Sequence, residues 1–231
     1  VVSALAVEEI DIATPQSQAA RILAMLPYFI IFSVFIGGMY LAIDTTAGER
    51  ERGSLEPLLI NPVARHELVL GKLGATLVFT FMAVMETLAG FYVMLNLLPS
   101  ESLGVKISLG LGALLLIFLL TFPMMLLAAA LQMIVATLTR SYKEAQTYLG
   151  FMPLVPALPG LFLALSPVRI RWWMMLIPTF GEQLLINQVM RGETILPSNV
   201  LLSAAATTAI GIALTAIAIR MYTRERILFG R

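Results

Sequence analysis

The sequence predicts an all-α membrane protein with five transmembrane helices, because its composition lies far outside the range of soluble domains. Hydrophobic residues make up 59% of the 231 residues and charged residues 13%, whereas soluble domains average roughly 45–50% and about 25%. So large an apolar excess cannot all be buried in a core of this size. The mean hydropathy of +0.90 agrees with lipid as the surrounding solvent.

Charge and cysteine content exclude several classes of function. The 15 basic residues are balanced by 14 acidic ones, so the chain has no strongly basic surface for nucleic acid. It has no cysteine and a single histidine, His66. This leaves neither a disulfide framework nor the ligands of a typical metal site. We therefore expect no metal and no nucleic-acid partner.

Apolar runs of about 20 residues, long enough to cross a bilayer as a helix, occur five times. Pro153, Pro156 and Pro159 interrupt the fourth run. Each removes a backbone hydrogen bond, so this helix is predicted to be kinked or broken. A shorter apolar segment, residues 172–190, contains Pro178 and several polar side chains, and it is predicted to be re-entrant or interfacial. The five predicted spans are residues 22–43, 73–98, 109–138, 145–165 and 199–219.

Arginine and lysine residues predict the orientation, because they accumulate in cytoplasmic loops. Five spans put the chain ends on opposite sides, and the connections on the C-terminal side hold ten basic residues against five on the other side. The C-terminus is therefore predicted to be cytoplasmic and residue 1 to lie outside. Since no apolar span precedes residue 22, we expect an earlier membrane helix in a longer chain to carry the N-terminal side across.

The cytoplasmic connection, residues 44–72, is long for a compact protein and is the part most expected to carry function. Glu49 and Arg52 are three residues apart and are predicted to pair on one helix face, while Arg50 and Glu51 point elsewhere. A short charged helix is therefore expected where the first span leaves the membrane.

A second short helix is predicted to follow the charged one. Gly53 should end the charged helix and Ser54 should cap the next, which spans Leu55–Ile60 and stops at Asn61-Pro62. A leucine-rich helix of barely two turns is too short to be stable alone. We expect it to dock, either on the bilayer surface or in a groove of a partner protein.

The connection 44–72 resembles the signature of type-2 ABC exporter permeases, in particular the NatB-like, sodium-exporter-type group. In that signature an Asp at the helix exit is followed by Gly-Glu-Lys/Arg-Glu-Arg-Gly-Thr/Ser-Leu-Glu, two leucines, a Pro and Arg-x-Glu-Leu-x-x-Gly-Lys. Weaker likenesses extend over the rest of the chain. The matching residues are Asp44, Glu49, Glu51, Arg52, Gly53, Ser54, Leu55, Glu56, Leu58, Leu59, Pro62, Arg65, Glu67, Leu68, Gly71 and Lys72.

The resemblance implies that the chain is the C-terminal membrane portion of a permease. Residues 1–21 would be the tail of an extracytoplasmic domain, and residues 22–231 the transmembrane permease domain. The chain lacks the Gly-x-x-x-x-Gly-Lys-Ser/Thr phosphate-binding loop, so a partner would bind ATP and Mg²⁺ and this chain would bind no cofactor. The implied partners are two copies of an ABC ATPase and a second permease chain, identical or different.

The same resemblance makes Leu55–Ile60 the coupling helix that inserts into the ATPase, and the charged helix before it a hinge. Closure of the ATPase dimer would switch the transport path from inward-facing to outward-facing. Leu58 and Leu59 are expected to fill the ATPase groove. The residues implied in ATPase coupling are Glu49, Arg50, Glu51, Arg52, Gly53, Ser54, Leu55, Glu56, Leu58 and Leu59.

Polar and helix-breaking residues inside the predicted spans are candidates for the path. Glu86 lies near the middle of the second span, where a carboxylate costs about 2.5–3.5 kcal/mol. It either lines the path or, protonated, bonds a neighbouring helix. The prolines Pro153, Pro156 and Pro159 are candidate path residues as well, with a simple structural kink as the alternative. The substrate stays open between sodium, a drug, a peptide and a lipid.

Two other classes of function compete with an ABC permease. An intramembrane enzyme would need paired glutamates and several histidines within the spans, but His66 lies in the connection. A channel or membrane scaffold without ATP coupling would differ in having no ATPase partner. The expected function is therefore non-enzymatic, with the ATPase activity residing in a partner subunit.

Overall fold

The computed structural model describes residues 15–60, 62–97, 110–165 and 168–223, and every regular element within these ranges is helical. Two stretches depart from α geometry: a π-helical turn at Asp44–Gly48 and a 3₁₀ helix at Trp172–Leu176. The α-helices are α1 (Pro15–Gly37), α2 (Met39–Ile43), α3 (Glu49–Glu51), α4 (Leu55–Ile60), α5 (Arg65–Leu97), α6 (Leu111–Leu138), α7 (Tyr142–Phe151), α8 (Leu154–Leu165), α9 (Phe180–Met190) and α10 (Pro197–Tyr222).

Four helical segments in the described ranges are long and apolar enough to cross a membrane, which confirms an all-α membrane protein. The predicted fourth run, 145–165, is divided, because α7 ends at Phe151 and α8 begins at Leu154. Pro153 lies at the division, where it cannot donate a helical hydrogen bond. The predicted break is therefore confirmed, while the count of five spans stays a prediction. The four segments are Met25–Glu51, Arg65–Asn96, Leu111–Leu138 and Pro197–Tyr222.

The helices run beyond the apolar runs from which they were predicted. Helix α1 begins at Pro15, so part of the predicted tail 1–21 is helical, and residues 1–14 lie outside the described ranges. The first membrane segment continues to Glu51, and α5 begins at Arg65. The connection between the two long helices is thus shorter than the predicted 44–72, because polar residues alone do not end a helix. The first segment continues until Gly53 ends it, and α5 can begin soon after Pro62. The connection between the predicted second and third spans, residues 99–108, which the charge count places outside, is not among the described residues.

The backbone at the end of α1 lies very close to α5 at two glycines, Gly37 and Gly38. A Cβ added to Gly38 would lie 2.5 Å from side-chain atoms of both Thr76 and Thr80, and one added to Gly37 would lie 2.6 Å from the Cβ of Ala83. Only glycine permits so close an approach. Small residues at such contacts are typical of helix pairs in membranes, where close packing replaces the hydrophobic effect.

Helix α6 occupies the centre of the bundle. Fourteen of its 28 residues are buried, and it packs against α1, α5, α9 and α10. The side-chain amide of Gln132 in α6 donates a hydrogen bond of 2.7 Å to the backbone carbonyl of Phe35 in α1. A helix that is apolar on every face is expected in this position.

Within the segment 172–190, helix α9 is packed into the bundle, whereas Trp172, Trp173, Leu176 and Ile177 before it are exposed. In α9, all residues from Gly181 to Asn187 are buried, and α9 packs against α1, α6, α8 and α10. Gln183 donates through Nε2 to the backbone carbonyl of Pro156 in α8. The polar side chains of α9 therefore serve internal contacts. The re-entrant or interfacial course of this segment relative to the membrane stays a prediction.

Candidate functional site

The charged segment 49–52 lies where α5, α6 and α7 meet at one end of the bundle, which we call the α4 end. Glu49 forms an ion pair with Lys72 of α5, and these side chains are 20% and 7% exposed. The Lys72 ammonium also donates to the carbonyl of Thr45 and lies 5.6 Å from the ring centroid of Tyr222 in α10. Removing one member of a buried pair typically costs about 3–5 kcal/mol. This contact therefore fixes the start of α5 to the end of the first segment.

Arg50 and Glu51 bond to the two neighbouring helix ends. The guanidinium of Arg50 donates to the carbonyls of Thr137 and Thr139, at 2.8 and 2.7 Å. These carbonyls lie at the C-terminal end of α6, where Thr139 is the cap residue, and carbonyls at a helix end have no N–H partner within the helix. The carboxylate of Glu51 accepts from the N–H of Tyr142 at the first residue of α7, at 2.6 Å. Both side chains point away from Glu49 and Arg52, as predicted.

The predicted pairing of Glu49 with Arg52 is wrong. Arg52 donates instead to the Asp44 carboxylate in the π-helical turn, at 2.8 Å, and this hydrogen bond raises the pKa of Arg52. Lys72 is far more buried than Arg52, and a buried cation needs a carboxylate more than an exposed one does. Glu49 therefore pairs across to α5, a contact that spacing within one helix cannot reveal.

Gly53 ends the charged helix as predicted, with a φ of +69° that favours glycine. Ser54 acts differently from the prediction, because its hydroxyl donates back to the carbonyl of Glu49 at 3.2 Å. At the third position of α4 stands Pro57, which has no N–H for a capping side chain to accept. The helix α4 itself, Leu55–Ile60, has the predicted bounds.

Helix α4 is attached to the bundle by one side and exposed on another. Leu55 is buried in a cluster with Val69, Leu73 and Tyr222, whereas Ile60 is 83% exposed. Leu55 therefore faces the chain's own core. Of the two residues predicted to fill a partner's groove, Leu58 is half-buried, and the side chain of Leu59, like that of Glu56, lies outside the described part.

The α4 end also holds the last membrane helix. Arg65, at the first residue of α5, donates to the backbone carbonyl of Tyr222 near the end of α10, at 3.0 Å. The contacts of residues 49–52, 65 and 72 thus join the first segment, α5, α6, α7 and α10. Each of these helices is therefore bonded directly to the α4 end.

Three of the four candidate path residues line two separate cavities. Glu86 is exposed on α5 and lines a groove of about 590 Å³ between α1 and α5. Ser33 and Thr87 lie in the same groove and share a hydrogen bond of 2.9 Å. Pro156 and Pro159 line another cavity, also about 590 Å³ and almost wholly apolar. The third proline, Pro153, is buried at the break between α7 and α8.

Two contributors to these sites were missed by sequence reasoning. Lys72 was recognised only as part of a matching signature, although it is the most buried basic residue of the junction. Tyr222, buried beneath it, carried no signal beyond its place at the end of the last apolar run. Sequence spacing reveals pairs within one helix, whereas these two contacts join helices that lie far apart in the chain.

The fold and the site together define a multi-pass helical membrane protein whose long helices are joined at one end by a conspicuously charged segment. Residues 3–220 match the family described as ABC-2 family transporter protein. The chain belongs to that family, and the resemblance seen in the sequence is confirmed.

A curated relative supports the same assignment. The chain is 31% identical over 183 residues to the ABC transporter permease protein NatB of Bacillus subtilis (strain 168), an alignment that covers 76% of this chain and 46% of the relative. The chain therefore spans less than half the length of that protein. No solved structure matches the chain.

Proposed function

We propose that this chain is the membrane-spanning permease subunit of an ABC exporter, driven by a separate ATPase. The observation that carries the proposal is the junction at the α4 end. There, four consecutive charged residues bond to the π-helical turn, α5, α6 and α7, and α4 continues from them with Ile60 exposed at its tip. A passive scaffold needs no exposed apolar tip at the point where its helices are bonded together.

In this function α4 is the coupling helix. Ile60 enters a groove of the ATPase, while Leu55 keeps α4 attached to the permease core. The ATPase moves α4 when its two copies close on ATP and Mg²⁺, and the charged segment 49–52 passes that movement to the helix ends it bonds. This converts an inward-facing path into an outward-facing one by a rigid-body change.

A second permease chain, identical or different, completes the path. The groove beside Glu86 opens to the outside of the bundle, and a carboxylate that faced hydrocarbon there would be costly. We therefore expect protein or water to cover this groove in the assembled transporter. Glu86 is the residue we place on the path, with Pro153, Pro156 and Pro159 shaping the neighbouring broken helix. In this arrangement the α4 end lies on the cytoplasmic side of the cell membrane.

ATP-dependent transport in inside-out membrane vesicles tests the function. The full-length permease and the ATPase that co-purifies with it should accumulate one of four probes: sodium ions, a lipophilic cation, a short peptide or a fluorescent lipid. Accumulation should need both ATP and the ATPase, because these 231 residues contain no phosphate-binding loop. Flux without ATP would support a channel, and the absence of any co-purifying ATPase would support a scaffold.

The orientation has its own test, since the chain has no cysteine background. Single cysteines at Ser54 and Ser198 would lie in exposed positions at the start of α4 and of α10. An impermeant thiol reagent applied to whole cells, once shown to reach the outer face of the membrane, should label Ser198→Cys and spare Ser54→Cys. The reverse pattern would overturn the proposed orientation, and labelling of both would place α4 outside.

A further inference from the structure

A buried carboxylate joins α9 to α10 away from the α4 end. Glu182 of α9 is 1% exposed. Its Oε1 accepts a hydrogen bond of 2.5 Å from the hydroxyl of Thr207 in α10. The neighbouring Gly181 lets the helices approach closely, since a Cβ there would lie 2.6 Å from the Ser203 hydroxyl. Ser203 and Thr207 are four residues apart, so both face Glu182.

The other carboxylate oxygen of Glu182 is not satisfied. Glu182 Oε2 and Ser203 Oγ are both buried and have no hydrogen-bond partner among the described residues. Ser203 is nevertheless close enough to Glu182 to act on its ionisation. A hydrogen bond between Oε2 and Ser203 Oγ would satisfy both atoms, and when the carboxyl is protonated Oε2 is the donor.

No positive charge compensates Glu182 within the described part of the chain. It forms no described ion pair, and α6, α8, α9 and the 3₁₀ helix bring no lysine, arginine or histidine to it. Glu182 lies in the first turn of α9, where the helix N-terminus favours a negative charge. A buried carboxylate without a cation is nevertheless strongly disfavoured, and neutralisation is the usual outcome. Two of the helices packed against α9 carry titratable groups. Helix α1 has Tyr28 and Arg21, whose side chain is not described, and α10 has Arg220 and Tyr222 at the α4 end. The exposed connections on either side of α9 hold Arg171, Arg191 and Glu193.

We propose that Glu182 is a proton-binding site, and that the bound proton makes its carboxyl a neutral hydrogen-bond donor linking α9 to α10. The site is distinct from the α4 end and from the two cavities lined by the candidate path residues. Because α9 also packs against α1, α6 and α8, loss of the proton places an uncompensated charge at a contact shared by most of the bundle. The fold is therefore weakened when this proton is lost.

The direction of the pH dependence follows from the burial. Desolvation raises the pKa of Glu182, and this outweighs the opposing effect of the Thr207 hydrogen bond, the nearby Ser203 hydroxyl and the backbone N–H groups. A carboxyl whose pKa is higher in the folded than in the unfolded protein stabilises the fold fully at low pH. That contribution is lost as the pH rises through the folded-state value.

Thermal unfolding of the purified full-length permease tests the site. Between about pH 5 and about pH 9, the range into which a buried glutamate can be shifted, the wild-type Tm should fall by roughly 5 °C more than that of Glu182→Gln. The glutamine keeps the shape and a donor but cannot ionise. The matched control is Glu193→Gln, which alters an exposed glutamate just beyond the same helix and should follow the wild type.

Infrared spectroscopy gives a second measurement that does not depend on the variant folding. The wild-type protein should show the carbonyl stretch of a protonated carboxyl at neutral pH, which disappears on alkaline titration. A Glu182→Gln protein destabilised equally at every pH, or no protonated carboxyl in the wild type, would overturn the proposal. So would a sodium-dependent rise of the wild-type Tm at high pH that Glu182→Gln lacks, because a metal cation would then hold the place of the proton.

Discussion

Replacing Ile60 by Asp is expected to weaken binding of the ATPase by at least about 30-fold, the effect of losing one interface hot spot. Ile60 is the most exposed large apolar residue in the described chain, at 83%. A charge there would have to be buried without a partner on binding. The permease itself should fold normally, because substitutions at exposed positions usually change stability by less than about 0.5 kcal/mol. Co-purification of the ATPase with tagged permease measures the loss.

The matched control for this prediction is Leu196→Asp. Leu196 is 63% exposed and precedes α10 at the opposite end of the bundle, so the same change of chemistry should leave ATPase binding intact. Equal ATPase recovery with Ile60→Asp and wild type would show that α4 does not enter the partner. Loss of binding in both variants would point to a general defect in assembly.

Glu86→Gln is expected to reduce transport by roughly 10- to 100-fold with little change in expression or Tm. A hydrogen bond to a charged group is worth about 1.5–3 kcal/mol. If Glu86 binds the substrate on the path, the glutamine would lose about this much of the binding free energy. Glu86 has no hydrogen bond or ion pair to a described side chain, and it is exposed in its groove. The glutamine should therefore cost the fold little. Initial rates in the vesicle assay, compared with Tm, separate the two effects.

A second glutamate on the same helix provides the control. Glu67 is exposed in the first turn of α5, where it accepts a hydrogen bond from the N–H of Ala64 at 3.3 Å. Glu67→Gln removes the same charge from α5 outside the groove and should transport at the wild-type rate. Wild-type kinetics in Glu86→Gln would remove Glu86 from the path and favour a role in helix packing.

Much of the fold was predictable because its strongest signals are local. Apolar runs located the four long helices, and Pro153 located the break between α7 and α8, since a missing N–H acts on its own helix. The ends of the helices were harder to predict. Hydropathy marks where a chain meets lipid, but α5 starts eight residues before its apolar run because Arg65–Lys72 is helical as well.

In the candidate site, the ends of α4 could be predicted from the sequence, but the contacts between helices could not. Gly53 and the Asn61-Pro62 pair gave the bounds of α4, because turn residues act within a few positions. The partners of Glu49, Arg50 and Glu51 lie on other helices, between 23 and 91 residues away. Nothing in local spacing distinguishes Lys72 from the other basic residues until the bundle buries it.

The glycine contact between α1 and α5 bears on how the bundle assembles. In a bilayer, lipid tails are as apolar as leucine, so helices are not driven together by the hydrophobic effect, and each pairing must be specified by shape. Gly38 supplies such a shape against Thr76 and Thr80, between helices that follow each other closely in the chain. Closing the connection between them loses little entropy, because this cost grows only slowly with the length of a loop. Helices α1 and α5 can therefore associate as a hairpin once both are inserted, before α6 enters the membrane to cover them.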